Sequence, residues 1–162
     1  MQKRKQMRLK NYDYSKEGMY FVTVCTFENI CIFGNIVNGQ MYENEYGGIV
    51  REEWFKTVRA RSNVQLDAFV VMPNHIHGII IVGATHRVAR TDNGPSRTIQ
   101  SGSLGAIIGQ FKSIVTKRIN GLYAGDLSGY RDIWQRNYYD HIIRNDTDLN
   151  RIRDYIVNNP LQ

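Results

Sequence analysis

The sequence predicts an α+β fold: an antiparallel sheet with helices packed on one of its faces, followed by one further helix near the C-terminal end. Three observations predict it. Runs rich in β-branched and aromatic residues are punctuated by Asn-Gly and Pro-Asn turn signals. Two other stretches carry apolar residues at helical spacing. Their order, β-β-α-β-β-α and then a last helix, suits an antiparallel sheet better than a parallel one.

Taken in order, residues 19–27 (MYFVTVCTF) and 30–37, the latter closed by Asn38-Gly39, read as two paired strands. Between 44 and 61, Ile49, Val50, Trp54, Phe55 and Val58 recur at helical spacing with charges between them, so an amphipathic helix is expected there. Residues 66–72 and 76–82 are short runs rich in Val and Ile, separated by Pro73-Asn74, and read as a hairpin at the centre of the sheet. Residues 83–100 have no periodicity and carry Gly, Pro and three arginines, the signature of a flexible loop. Helical spacing resumes over 104–119 through Ile107, Ile108, Phe111, Ile114 and Val115, although Gly105 and Gly109 oppose it. A Gly- and Tyr-rich connector follows. The last helix begins near Asn145-Asp146, good capping residues, and runs through Leu149, Ile152 and Ile156 until Pro160 forbids continuation.

A length of 162 residues, 42% of them hydrophobic, suits one domain spanning 1–162, preceded within it by a basic arm at 1–15. No run approaches the roughly 18 apolar residues of a membrane helix, and no apolar signal core follows the initial charges, so a cytoplasmic location without membrane contact is expected. Two cysteines, Cys25 and Cys31, are too few for a disulfide framework and read as buried thiols. The net charge of +6 makes a polyanion a plausible partner. Lys3, Arg4 and Lys5 lie in the arm; Arg136, Arg144 and Arg151 stud the C-terminal part, interleaved with Trp134, Tyr138 and Tyr155. Cations beside flat rings are what phosphates and unpaired bases bind, although rings also fill cores.

His75-Ile76-His77 opens a strand, so both imidazoles face one side of the sheet and Ile76 the other. Two neutral imidazoles side by side can share a divalent cation; two partly buried histidines with hydrogen-bond partners would give the same pattern. On the last helix, Ile152, Tyr155, Ile156 and Asn159 follow i, i+3, i+4, i+7 spacing, which sets a phenol and a carboxamide one turn apart beside the apolar stripe. Asp140-His141 is a weaker candidate, for a proton relay or substrate contact. Serine-elbow, phosphate-loop and dinucleotide fingerprints are missing from the sequence.

The run VVMPNHIHGIIIV (70–82), followed by WQRNYYDHIIR (134–144) and RIRDYIVNNP (151–160), resembles the REP-associated tyrosine transposases, which belong to the single-tyrosine branch of the HUH endonucleases, U being any hydrophobic residue. That resemblance implies a ferredoxin-like antiparallel sheet and a catalytic C-terminal helix. It implies His75 and His77 as the metal-binding pair, Asn159 as third ligand where relatives carry Gln or Asn, and Tyr155 as nucleophile. It further implies Mg²⁺ or Mn²⁺ as cofactor, a 5′-phosphotyrosine intermediate, and single-stranded DNA with hairpin or palindromic repeats as substrate. Arg136, Arg144, Arg151, Trp134, Tyr138 and the arm residues Lys3, Arg4 and Lys5 are the DNA contacts that chemistry and position suggest. The resemblance leaves both a monomer and a homodimer open, and many relatives continue past the position of Pro160. Two other readings are a non-catalytic basic α+β nucleic-acid-binding module and a metal-dependent phosphodiesterase that uses water.

Overall fold

The computed structural model describes residues 17–83, 102–122 and 132–161. The basic arm with Lys3, Arg4 and Lys5, and the expected loop beyond Gly83, lie outside the described residues.

The described elements are β1 (Gly18–Cys25), β2 (Gly34–Val37), β3 (Gln40–Glu43), α1 (Glu45–Arg59), β4 (Val64–Met72), β5 (His75–Val82), α2 (Leu104–Gly121), β6 (Tyr139–Ile143) and α3 (Asp146–Asn158), with a 3-10 turn over Asn159–Leu161. Four strands form one antiparallel sheet in the order β4-β5-β1-β6. With α1 following β1 by way of the β2–β3 hairpin, and α2 between β5 and β6, this is the ferredoxin-like β-α-β-β-α-β arrangement.

The helices form where capping and stripe agree. Asn44 accepts from the amides of Tyr46 and Gly47, Ser103 from Ala106, and Asn145 from Asp148, each such cap contributing about 1 kcal/mol. Helix α2 runs through Gly105 and Gly109 because Ile107, Ile108, Phe111, Val115 and Ile119 are buried along one side, which outweighs the glycine cost. Asn159 stays helical, at φ −57 and ψ −40, in spite of Pro160.

Three expectations are corrected. The run at 19–27 does not pair with the one at 30–37. β1 lies instead between β5 and β6, and the second run supplies only β2, which turns at Asn38-Gly39 (φ 51 and 73, left-handed for both) to pair with β3. The connector read after α2 contains β6, and β4 is an edge strand with β5 and β1 central. Helices α1 and α2 do share one face of the sheet, and α3 takes the other. Tyr20, Val22, Val24, Ile76 and Ile80 form one core with α1 and α2, while Phe21, Ile79 and Ile143 form a second core with Leu149, Ile152 and Ile156 of α3. Alternation along each strand sends odd and even residues to opposite sides, so each side needs its own cover.

Gly78 follows the histidines for a packing reason. A Cβ there would stand 2.3 Å from Cζ2 of Trp54, which stacks on Phe69 in the α1 and α2 core. No helix among the described residues is long and apolar enough to cross a membrane.

Candidate active site

On the α3 side of the sheet, β5 presents His75 and His77, and their Nε2 atoms stand 3.1 Å apart. Each ring is held from behind. Nδ1 of His75 lies 2.7 Å from Oδ1 of Asn74, and Nδ1 of His77 lies 2.8 Å from Oγ1 of Thr23, its cross-strand partner on β1. Asn74 in turn donates from Nδ2 to the carbonyl of Asn29 at 3.2 Å. Because Oδ1 of Asn74 can only accept, Nδ1 of His75 carries the proton and its Nε2 offers a lone pair. A threonine hydroxyl can accept as well, which permits the same tautomer at His77.

His77 is 5% exposed and stacks on Phe21 with ring centroids 5.3 Å apart. Burial, and secondarily the neighbouring His75, drive its pKa from the ordinary 6.5 to about 3; burial also lowers that of His75. Both imidazoles are therefore neutral at pH 7, the form a metal needs.

Helix α3 brings Tyr155 to this pair. Its hydroxyl is 3.5 Å from Nε2 of His77, its ring centroid 5.2 Å from that imidazole, and its ring meets the edge of Phe21 at 6.1 Å. At 39% exposed, the phenol borders the buried histidine while remaining open to solvent. Asn159 lies one helical turn further on, 7% exposed, on the same stripe as Leu149, Ile152 and Ile156.

Two donors each about 2.1 Å from an octahedral ion and at right angles lie about 3 Å apart, and the Nε2 pair has that separation. Among the described residues no group of three His, Cys, Asp or Glu could hold a metal ion. Among the described His, Cys, Asp and Glu, any ion here would thus meet only two neutral nitrogens, a set that leaves its charge available to an anionic substrate.

The other candidates are placed differently. Trp134 is 7% exposed and packs between Phe33 and Phe111 in the α1 and α2 core, so its ring is closed to base stacking. Tyr138 is half-buried against the same core. Arg136 and Arg144 are exposed, and exposed Arg151 pairs with Asp148 at 2.7 Å. Asp140 and His141 do not act as a unit. Neighbours on β6 face opposite sides, Asp140 is buried, and Nε2 of His141 meets Oδ2 of Asp148 at 2.8 Å. Both cysteines are free, with Cys25 half-buried and Cys31 exposed rather than buried.

Phe21, Thr23 and Asn74 are site residues that sequence reading missed. The signal for the first two was cross-strand: once β1 is laid beside β5, Thr23 falls opposite His77. Asn74 was visible only as a turn residue.

No family model matches the chain. An uncharacterised protein of Haemophilus influenzae is 39% identical over 166 residues, covering 98% of this chain and 88% of that protein. A second H. influenzae protein, named as a candidate REP-associated tyrosine transposase, is 25% identical over 158 residues, covering 95% of this chain and 77% of its own length. Among solved structures, a REP-associated tyrosine transposase bound to a REP hairpin superposes with a TM-score of 0.56 at 22% identity, over 96% of this chain and 73% of that one. At that identity the likeness is one of fold.

Proposed function

We propose that the chain, similar over 95% of its length to a protein named as a candidate REP-associated tyrosine transposase, is a member of that family and cuts and rejoins single-stranded DNA at hairpin-containing sites through a covalent link to Tyr155. The carrying observation is the line formed by the phenol and the two imidazoles: hydroxyl to Nε2 of His77 at 3.5 Å, and on to Nε2 of His75 at 3.1 Å.

His75 and His77, with Asn159, would hold Mg²⁺ or Mn²⁺, which when bound polarises the scissile phosphate and offsets the charge that builds on it. Everything else falls to the chain. The phenol oxygen of Tyr155 forms a bond to phosphorus, the bond from phosphorus to the 3′ oxygen breaks, and the departing strand takes up a proton as a 3′-hydroxyl. The phenol proton has a short route to water, because the side chain is part-exposed. A free tyrosine has a pKa of about 10, so its phenolate is scarce at pH 7 and positive charge beside it accelerates the attack. Phe21, wedged against both rings, sets the angle at which the phenol meets the site. Attack by another 3′-hydroxyl on the phosphotyrosine reverses each step and reseals the strand with no nucleotide consumed.

Labelled hairpin-containing single-stranded DNA, incubated with the protein and Mn²⁺ or Mg²⁺ and run on a denaturing gel, tests this reading. The expected result is a DNA-shifted protein band, absent with chelator and absent for Tyr155→Phe, which still binds. Cleavage without a shifted band would replace the reading with a water-using phosphodiesterase, and binding without cleavage with a non-catalytic module.

A further inference from the structure

Of the eleven Lys and Arg among the described residues, five stand in ion pairs. Arg51 pairs with Glu43, Lys56 and Arg118 with Glu52 and Glu53, Arg151 with Asp148, and Arg153 with Asp67. Lys112, Lys117 and Arg136 form no ion pair among these residues, yet all three line one cleft of about 390 Å³ between α2 and the segment at 132–136. Among the described residues Asp132 is the one carboxylate on its wall, against three cations, and Ser113 and Thr116 add hydroxyl donors beside them. Its floor is apolar, from Ile133 and Trp134.

The cleft is joined to the histidine pair by its own wall. The amide of Gln135 donates to the carbonyl of Cys25, which stands opposite His75 across the β1–β5 ladder. Nε2 of Gln135 donates at 3.0 Å to Oδ1 of Asn29, whose carbonyl receives the side chain of Asn74, the residue that holds His75. Nζ of Lys112 binds the carbonyls of Gln135 and Arg136 and so fixes the wall to α2. The cleft thus lies on the α2 side of the same sheet end at which β5 presents its histidines on the α3 side.

We propose that this cleft binds the phosphodiester backbone of the DNA strand as it passes from the site over the end of β1. This inference rests on the proposed strand-cleaving function. Cations without a carboxylate partner among the described residues, two of them exposed, with hydroxyl donors over an apolar floor, recognise phosphates without reading bases. Its exposed rim, with Ser113, Lys117 and Arg136 all facing solvent, suits a chain running through it more than an enclosed small anion.

The double variant Lys117→Gln, Arg136→Gln tests the inference, since both side chains are exposed and neither forms an ion pair among the described residues. Binding is measured for hairpin-containing DNA carrying a single-stranded extension of about 4 nucleotides (the shorter strand) or about 16 (the longer), the range that single-strand-binding sites span. Relative to wild type, the variant should bind the longer strand roughly tenfold more weakly, with a salt slope shallower by about 1.4, two phosphates at about 0.7 each. It should bind the shorter strand equally well and join it to Tyr155 at the same rate. Equal binding of the longer strand by variant and wild type would overturn the cleft while leaving adduct formation, and the proposed function, intact. Equal competition by inorganic phosphate at matched ionic strength would assign the cleft to a small anion and overturn it too. A wild type that neither binds nor joins either strand overturns both.

Discussion

Thr23 and Asn74 decide what the two histidines can do. For both Nε2 atoms to offer lone pairs to one ion, both Nδ1 atoms must carry protons, and a buried N–H without an acceptor costs about 1–3 kcal/mol. Asn74 supplies one acceptor and Thr23 the other. Thr23→Val keeps the shape and removes the acceptor, so Mn²⁺ affinity measured by calorimetry should fall about 10- to 100-fold while Thr23→Ser stays near wild type. An unchanged affinity in the valine variant would show that the hydroxyl does not set the tautomer. Spacing singled out the His-x-His pair and Tyr155 as candidates, and their proposed roles came from the family resemblance. Thr23 was not singled out, because its meaning depends on which strand lies beside it.

At the scale of elements, α3 matters because it carries the proposed nucleophile, and what holds it is partly electrostatic. Arg153, two residues before Tyr155, meets Asp67 of β4 through two bonds, Nε to Oδ1 at 2.8 Å and Nη2 to Oδ2 at 2.5 Å. The Arg153 hydrogen bond comes first among the causes that hold the Asp67 carboxyl below its ordinary 3.8. A carboxyl depressed in the folded state stabilises the fold above its unfolded pKa and loses that contribution as pH falls through the folded one. Asp67→Asn should therefore lower stability modestly, by about 1 kcal/mol or less for a pair so open to solvent, at neutral pH and progressively less below pH 4. Urea midpoints at pH 7 and pH 3 check this, and a deficit of the same size at both would mean that the pair's charge is not the cause. Helix α3 itself was readable from its Asn145 cap and apolar stripe, whereas β6 was not. Its five residues include Asp140 and His141, and nothing local separates such a short edge strand from a polar connector.

For the whole molecule, local pattern gave the fold class and most elements but not the pairing. The short spacing between residues 19–27 and 30–37 favoured a hairpin, yet Gly34–Val37 folds back on β3 and leaves β1 free to join β5 and β6 from far along the chain. That long-range choice creates two sheet faces and sends α3 to the face opposite α1 and α2. The site exists because of it. Phe21 and Thr23 from β1, the histidines from β5 and Tyr155 from α3 meet only when β1 is central. The aromatic residues near Arg136 divide on the same principle, since Trp134 is drawn into the core and the charges are left at the surface. The account stands or falls on which atom the DNA becomes attached to. Residues 154–162 contain no Lys or Arg and Tyr155 as their single tyrosine, so tryptic cleavage after Arg153 isolates it. Mass mapping of the covalent product formed with hairpin DNA and Mg²⁺ should find the nucleotide on that peptide, as a 5′-phosphate ester of Tyr155. An adduct on another tyrosine, or strand cleavage with every peptide unmodified, would contradict it.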